Sequence, residues 1–265
     1  MNEDRVRLTV EDHVAHLRLN RPADRNGIDD QMAAALAEAV EAIHADSNAR
    51  ALLISGEGPA FCVGGDLKFL APKIDKLDDE FQSMIGSWHD TLPRFSELPI
   101  PVVTAIHGGT AGGGLGLVWC ADFVIAAENT KIATGFVELG LPGDGGSSWH
   151  LPRLVGLRRA QELILDNRVL DATTALEWGL VNQVVPMDQL LPVASALARR
   201  LATRSLTAIA HSKERLRETF GNSYREQLQA EKRGMMTAAA QADVKAGLPA
   251  FVAKTKPTFP DRPKR

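Results

Sequence analysis

Twice in this chain a run of apolar residues gives way at once to a cluster of glycines. Ala51-Leu52-Leu53-Ile54-Ser55, closed by Gly56-Glu57-Gly58-Pro59, leads into Phe61-Cys62-Val63-Gly64-Gly65-Asp66-Leu67. Val102-Val103-Thr104-Ala105-Ile106 leads into His107-Gly108-Gly109-Thr110-Ala111-Gly112-Gly113-Gly114-Leu115-Gly116. Short apolar runs bounded in this way read as buried strands. Glycine lets the following backbone turn sharply and lets a ligand approach its N–H groups closely. A helix opening at Gly113 or Gly114 would aim free amides and a positive dipole end at an anion. Either loop alone is better read as a close-packed turn. Two amides from separate loops, brought together, would form an oxyanion hole. A phosphate-binding loop fits less well: no GxGxxG follows the early strand, and no Lys-Ser/Thr pair follows the glycines.

The flanking segments set the fold class. Val6 to Val10 and Val14 to Leu19 alternate apolar and polar across a charged turn, which predicts a hairpin. Met32, Leu36, Val40 and Ile43 recur at helical spacing after Asp29-Asp30, a capping pair. Phe123 to Ala126 reads as a further strand, and Leu115 to Trp119 as a short buried helix. Strands alternating with helices give an α/β class over about residues 1–190. Beyond Asp188 the pattern is helix only: Leu190 to Thr203, Ser205 to Phe220, Ser223 to Ala240 and Asp243 to Ala253. Residues 191–265 form this helical region, and Pro257, Pro260 and Pro263 mark a non-helical tail. The polar stretch 71–80 is expected to be a mobile loop.

Composition narrows the function. With 30 Lys+Arg against 33 Asp+Glu the net charge is −3, so nothing electrostatic points to nucleic acid. Two cysteines, Cys62 and Cys120, make no disulfide framework. The scattered His13, His16, His44, His107, His150 and His211 have no metal-ligand spacing, and no metal is expected. The charged start, Met1 to Arg5, does not read as a signal peptide, and no apolar run is long enough to span a membrane. A cytoplasmic protein is the expectation.

Several stretches in order resemble the crotonase superfamily, the enoyl-CoA hydratase/isomerase family. They are Asn20-Arg21-Pro22-Ala23-Asp24-Arg25-Asn26, Phe61 to Leu67, Pro101 to Gly108 with Ala111 to Leu115, Gly140-Leu141 through Leu151 to Gly156, Ala175 to Val181, and Phe251-Val252-Ala253-Lys254. The resemblance implies a superhelix of ββα units whose C-terminal helices build a homotrimer or a dimer of trimers and close the site. It implies an acyl-CoA thioester as ligand and a place in fatty acid metabolism. Coenzyme A then arrives as part of the substrate, and no separate cofactor is implied. By position, Gly65 and Gly113 would supply the oxyanion amides. Ala23, Arg25, Val63, Leu67 and Lys68 would line the CoA moiety, and Phe251 and Lys254 would reach the CoA of a neighbouring subunit.

The sequence departs from the family where its hydratases carry two glutamates. The matching positions are Gly116 and Phe136, expected in the substrate pocket, and neither can move a proton. Glu138 lies two places from the second position and reads as a solvated acid. Asp144 occupies the place where the family's isomerases, including ring-opening epoxyphenylacetyl-CoA types, carry an acidic base. One carboxylate there could take a proton beside the thioester and return it two carbons along. The competing structural role for Asp144 is to cap a helix starting near Ser147-Ser148. His89 and Asp144 also stand at the spacing of the 4-chlorobenzoyl-CoA dehalogenase branch, where Asp is the nucleophile and His activates water. A pocket-wall His is the plainer reading. Trp149 is expected to pack, and Cys62 to be a small packed residue. The leading expectation is an enoyl-CoA double-bond isomerase using Asp144. The alternatives are an enoyl-CoA hydratase, a dehalogenase-like hydrolase using Asp144 and His89, and an inactive acyl-CoA-binding protein.

Overall fold

The computed structural model describes residues 5–260, apart from the side chain of Ser83. The charged start from Met1 to Asp4 and the tail proline Pro263 lie outside the described residues. Strands β1 (Val6–Glu11) and β2 (Val14–Leu19) form the expected antiparallel hairpin. Helix α1 (Asp30–Ala45) follows, capped by the Asp29 carboxylate, which accepts the Met32 N–H. It buries Met32, Leu36, Val40 and Ile43. Strand β3 (Ala51–Gly56) pairs in parallel with β2. After α2 (Leu67–Leu70) and α3 (Leu77–Glu97), β4 (Val102–Ile106) extends the sheet. Then come β5 (Gly109–Ala111), α4 (Gly116–Trp119), β6 (Phe123–Ala127) and β7 (Lys131–Ala133). The order continues with α5 (Ser147–Val155), α6 (Leu157–Leu165), β8 (Leu170–Asp171), α7 (Ala172–Glu177) and β9 (Gln183–Val185). Four helices end the chain: α8 (Leu190–Ala202), α9 (Leu206–Glu218), α10 (Tyr224–Ala239) and α11 (Ala242–Val252).

The main sheet has the order β1-β2-β3-β4-β6-β9 and is parallel after the hairpin. A smaller sheet, β5-β7-β8, stands beside it. The central strands read as unbroken apolar runs because both faces are covered. Successive residues alternate between two packing layers. Leu52 and Ile54 join the cluster containing Met32, Leu36 and Phe95. Leu53, Val103 and Ala105 join Leu190, Ala194, Ala198 and Ala202. Those last four residues lie every fourth position along α8, mostly as alanines, so the helix packs directly on the sheet. The change of sequence pattern near residue 190 is therefore not a break in packing, because α8 is a layer of the core. Helix α9 is tied on by the buried Lys213, which reaches Asp122 at 2.7 Å and the Ile100 carbonyl at 2.9 Å.

The expectation of a mobile loop over 71–80 is corrected. Ala71–Lys76 forms a 3-10 turn, and α3 begins at Leu77. The polar run misled because Asp78, Asp79 and Glu80 fill the first turn of α3, where acidic groups favour the helix dipole. Lys73 reinforces the corner by pairing with Glu80 at 2.7 Å and lying 3.7 Å over the Phe69 ring.

Candidate active site

The first glycine loop is held from below by the segment before α1. Asn26 is fully buried, and its side-chain N–H groups donate to the carbonyls of Glu57, Ala60 and Phe61 at 2.9–3.0 Å. Its side-chain oxygen accepts the Arg21 N–H at 2.8 Å. Arg21 in turn bonds the Asp66 carboxylate at 2.9 Å. Burial alone would raise Asp66, but the Arg21 hydrogen bond and the Phe69 and Lys68 amides outweigh it. They hold the carboxyl below the ordinary carboxylate range. Asp66 also caps α2. Sequence reasoning missed Arg21 and Asn26 as supports, although the Asn-Arg-Pro-x-x-x-Asn spacing carried the signal.

The two loops meet face to face. Ala111 N donates to Cys62 O at 2.9 Å. A β-carbon on Gly64 would stand 3.0 Å from Ala111 O, Gly112 Cα and Gly113 N alike. Gly113 lies in the first turn of a 3-10 segment, Gly112–Leu115, where N–H groups have no partner within the helix. Among the described hydrogen bonds, neither the Gly65 nor the Gly113 amide donates to a protein acceptor. Both residues line a cavity of about 430 Å³ with Val63, Leu67, Phe136, His89 and Asp144. Phe81, Met84 and Ile85 of α3 and Leu139, Leu141 and Pro142 make its walls apolar.

Asp144 is the one carboxylate on this cavity among the described residues. Its side chain is 17% exposed. Oδ1 is hydrogen-bonded to His89 Nε2. Oδ2 points to Gly113, 3.1 Å from where a β-carbon there would stand. The helix-cap role for Asp144 is overturned. Gly146, at φ +75°, is the N-cap of α5, which has no side-chain cap, and only the Asp144 backbone carbonyl reaches Ser147 N. His89, set on α3 and about half exposed, is the partner of Asp144 as well as a wall residue.

The remaining candidates separate by place. Gly116 does not line this cavity; it is buried in α4, where a β-carbon would fall 2.7 Å from Leu92. Glu138 is exposed and absent from the lining. Ala23, Arg25 and Lys68 are exposed beside the first loop, with Lys68 3.5 Å from Asp24 and the Arg25 carbonyl bonded to Val63 N. Phe251 and Lys254 stay in solvent at the end of α11, away from the cavity of their own chain. Trp149 does not pack into the core. It is 46% exposed and lies under Arg153 at 4.0 Å. Cys62 is buried, donates to Asn26 O, and has its thiol pushed up to about 12 by burial, so it is no nucleophile near neutral pH. Burial likewise pushes His150 down to about 4.

The sequence model of the enoyl-CoA hydratase/isomerase family matches residues 9–262. This chain belongs to that family. The 1,2-epoxyphenylacetyl-CoA isomerase of Escherichia coli (strain K12) is 37% identical over 251 residues, spanning 94% of this chain and 96% of that protein. The 4-chlorobenzoyl coenzyme A dehalogenase-1 of Arthrobacter sp is 30% identical over 208 residues, spanning 78% of this chain and 75% of that one. Among solved structures, the enoyl-CoA hydratase of Polaromonas sp. JS666 superposes with a TM-score of 0.92 at 30% identity, covering 96% of this chain and 99% of the other. The fold is thus that of the crotonase superfamily, and the chain is an acyl-CoA-binding enzyme at family level. No helix among the described residues is long and apolar enough to cross a membrane.

Proposed function

We propose that this member of the enoyl-CoA hydratase/isomerase family is a double-bond isomerase acting on an acyl-CoA thioester. The observation that carries the reading is Asp144, the single carboxylate of the cavity among the described residues, with Oδ2 turned to Gly113. The thioester oxygen would sit between the Gly65 and Gly113 amides. Removing a proton from the adjacent carbon leaves negative charge on that oxygen, which the two donors stabilise. Asp144 takes that proton and returns it two carbons along, so no second acid and no cofactor are needed. The likeness to an epoxyphenylacetyl-CoA isomerase supports an isomerase over a hydratase. So does the lack of any acid at Gly116 and Phe136.

A second reading rests on the His89–Asp144 hydrogen bond. In a hydrolytic dehalogenation Asp144 would attack an aryl carbon and His89 would activate water against the resulting ester. The test is parallel incubation with 3-enoyl-CoA, 2-enoyl-CoA and 4-chlorobenzoyl-CoA, with Asp144→Asn as control. Conversion of 3-enoyl- to 2-enoyl-CoA is expected. Chloride release would favour the second reading, and binding without turnover a binding protein.

We further propose a homotrimer or dimer of trimers. Phe220, Tyr224, Met235, Met236, Leu248 and Phe251 are large apolar side chains exposed on or beside α9 to α11, a surface suited to burial between subunits. Phe251 and Lys254 would then serve the CoA of a neighbour.

A further inference from the structure

Trp88, next to His89 on α3, is 2% exposed. Its indole Nε1–H is buried and has no hydrogen-bond partner. A buried indole N–H usually finds an acceptor, and leaving one unmade costs about 1–3 kcal/mol. The place of this donor is informative. It lies 3.6 Å from the point where a β-carbon on Gly113 would stand, and Asp144 Oδ2 lies 3.1 Å from the same point. Asp144 Oδ1 is taken by His89, while Oδ2 has no partner in the described hydrogen bonding. A donor without an acceptor and an acceptor without a donor among the described hydrogen bonds thus flank one spot beside Gly113 in the cavity lining.

We propose that Trp88 is a positioning residue: its indole N–H engages Asp144 Oδ2 when an acyl-CoA fills the cavity, so that Trp88 and His89 together orient the carboxylate. This rests on the isomerase reading for its consequence in turnover, but the hydrogen bond itself can be observed separately. A carboxylate that must leave one carbon and reach another needs a fixed pivot. Donors on both oxygens supply one without touching the acyl group.

Trp88→Phe removes the N–H and keeps most of the ring. Because the N–H is unpartnered in the free protein, the melting temperature should not fall. The bond forms when acyl-CoA binds and orients the carboxylate for proton transfer, so its loss should lower kcat/KM about ten-fold or more. A fall in melting temperature with kcat/KM intact would make Trp88 a packing residue and overturn the proposal.

The direct test labels the four tryptophans with nitrogen-15, identifies the Trp88 indole signal by its loss in Trp88→Phe, and adds acetoacetyl-CoA, an enolisable thioester. The Trp88 N–H should move downfield in the wild type and stay in place in Asp144→Ala. Movement in both proteins would assign the donor to the ligand and overturn the proposal. Binding seen at other signals without movement at Trp88 would overturn it while leaving the isomerase reading intact. Absence of binding would overturn both.

Discussion

Around the amide pair, glycines are pressed from several sides; in the loop that carries Asp144, Gly140 and Gly143 face open space, and only after Asp144 does Gly145 press on Gly113. A β-carbon on Gly114 would fall 2.4 Å from Cys62 Sγ, and one on Gly64 would touch three backbone atoms of the opposite loop. At Gly143 nothing stands within 4 Å of such a carbon, and glycine is needed there because φ is +114°. The first region is fixed by contact, and residues 140–143 of the second by their own backbone conformation. The amide pair proposed to hold the thioester oxygen is therefore set in packed backbone, while the carboxylate sits where an open segment, residues 140–143, joins that packing.

The comparison makes its sharpest prediction at Asp144. Asp144→Asn should lower isomerase turnover roughly a hundred- to ten-thousand-fold, the usual range for a general acid–base group. Acyl-CoA affinity, measured by calorimetry, should be nearly intact, because the substitution keeps the side chain's shape and leaves the Gly65 and Gly113 amides in place. Hydration of crotonyl-CoA by the wild type should stay well below the roughly 10 per second typical of enzymes.

Disturbing the packed region should act on stability first. Asn26→Ala leaves buried carbonyls at residues 57, 60 and 61 without their donor and should cost about 3 kcal/mol or more in denaturant unfolding. Gly114→Ala forces a methyl group onto Cys62 and should cost about 1–3 kcal/mol. Gly143→Ala meets no atoms and carries only backbone strain, about 1 kcal/mol. Equal costs at Gly114 and Gly143 would break the contrast between the two regions.

The smallest effect concerns pH. Asp66 is held below its unfolded value of about 3.9, so its contribution to stability is present above that pH. It is lost as pH falls through the lower folded value. Asp66→Asn should therefore flatten the acid side of the stability curve, read as unfolding midpoint against pH.

Much of this was legible in the sequence, and the failures have physical causes. The buried strands announced themselves as apolar runs, and the two glycine loops suggested a hole only as a pair, since either alone reads as a close-packed turn. The start of α3 was hidden, since Asp78, Asp79 and Glu80 look like a loop until they are placed at a helix N-terminus. The burial of Gly116 against Leu92 was equally invisible, because a glycine says nothing of what lies beside it. The pairing of His89 with Asp144 joins residues 55 apart, and no local pattern encodes it. Nothing in the sequence marks the unpartnered nitrogen of Trp88, which only the packing around it reveals.

The central claim is that Asp144 removes a proton from the carbon beside a thioester whose oxygen is held by the two amides. Solvent deuterium exchange into a saturated acyl-CoA, followed by nuclear magnetic resonance in heavy water, tests that step alone, without any product being formed. The wild type should wash deuterium into the carbon beside the thioester, and Asp144→Asn should bind the same ligand and exchange none. Exchange at the wild-type rate in Asp144→Asn would contradict the account.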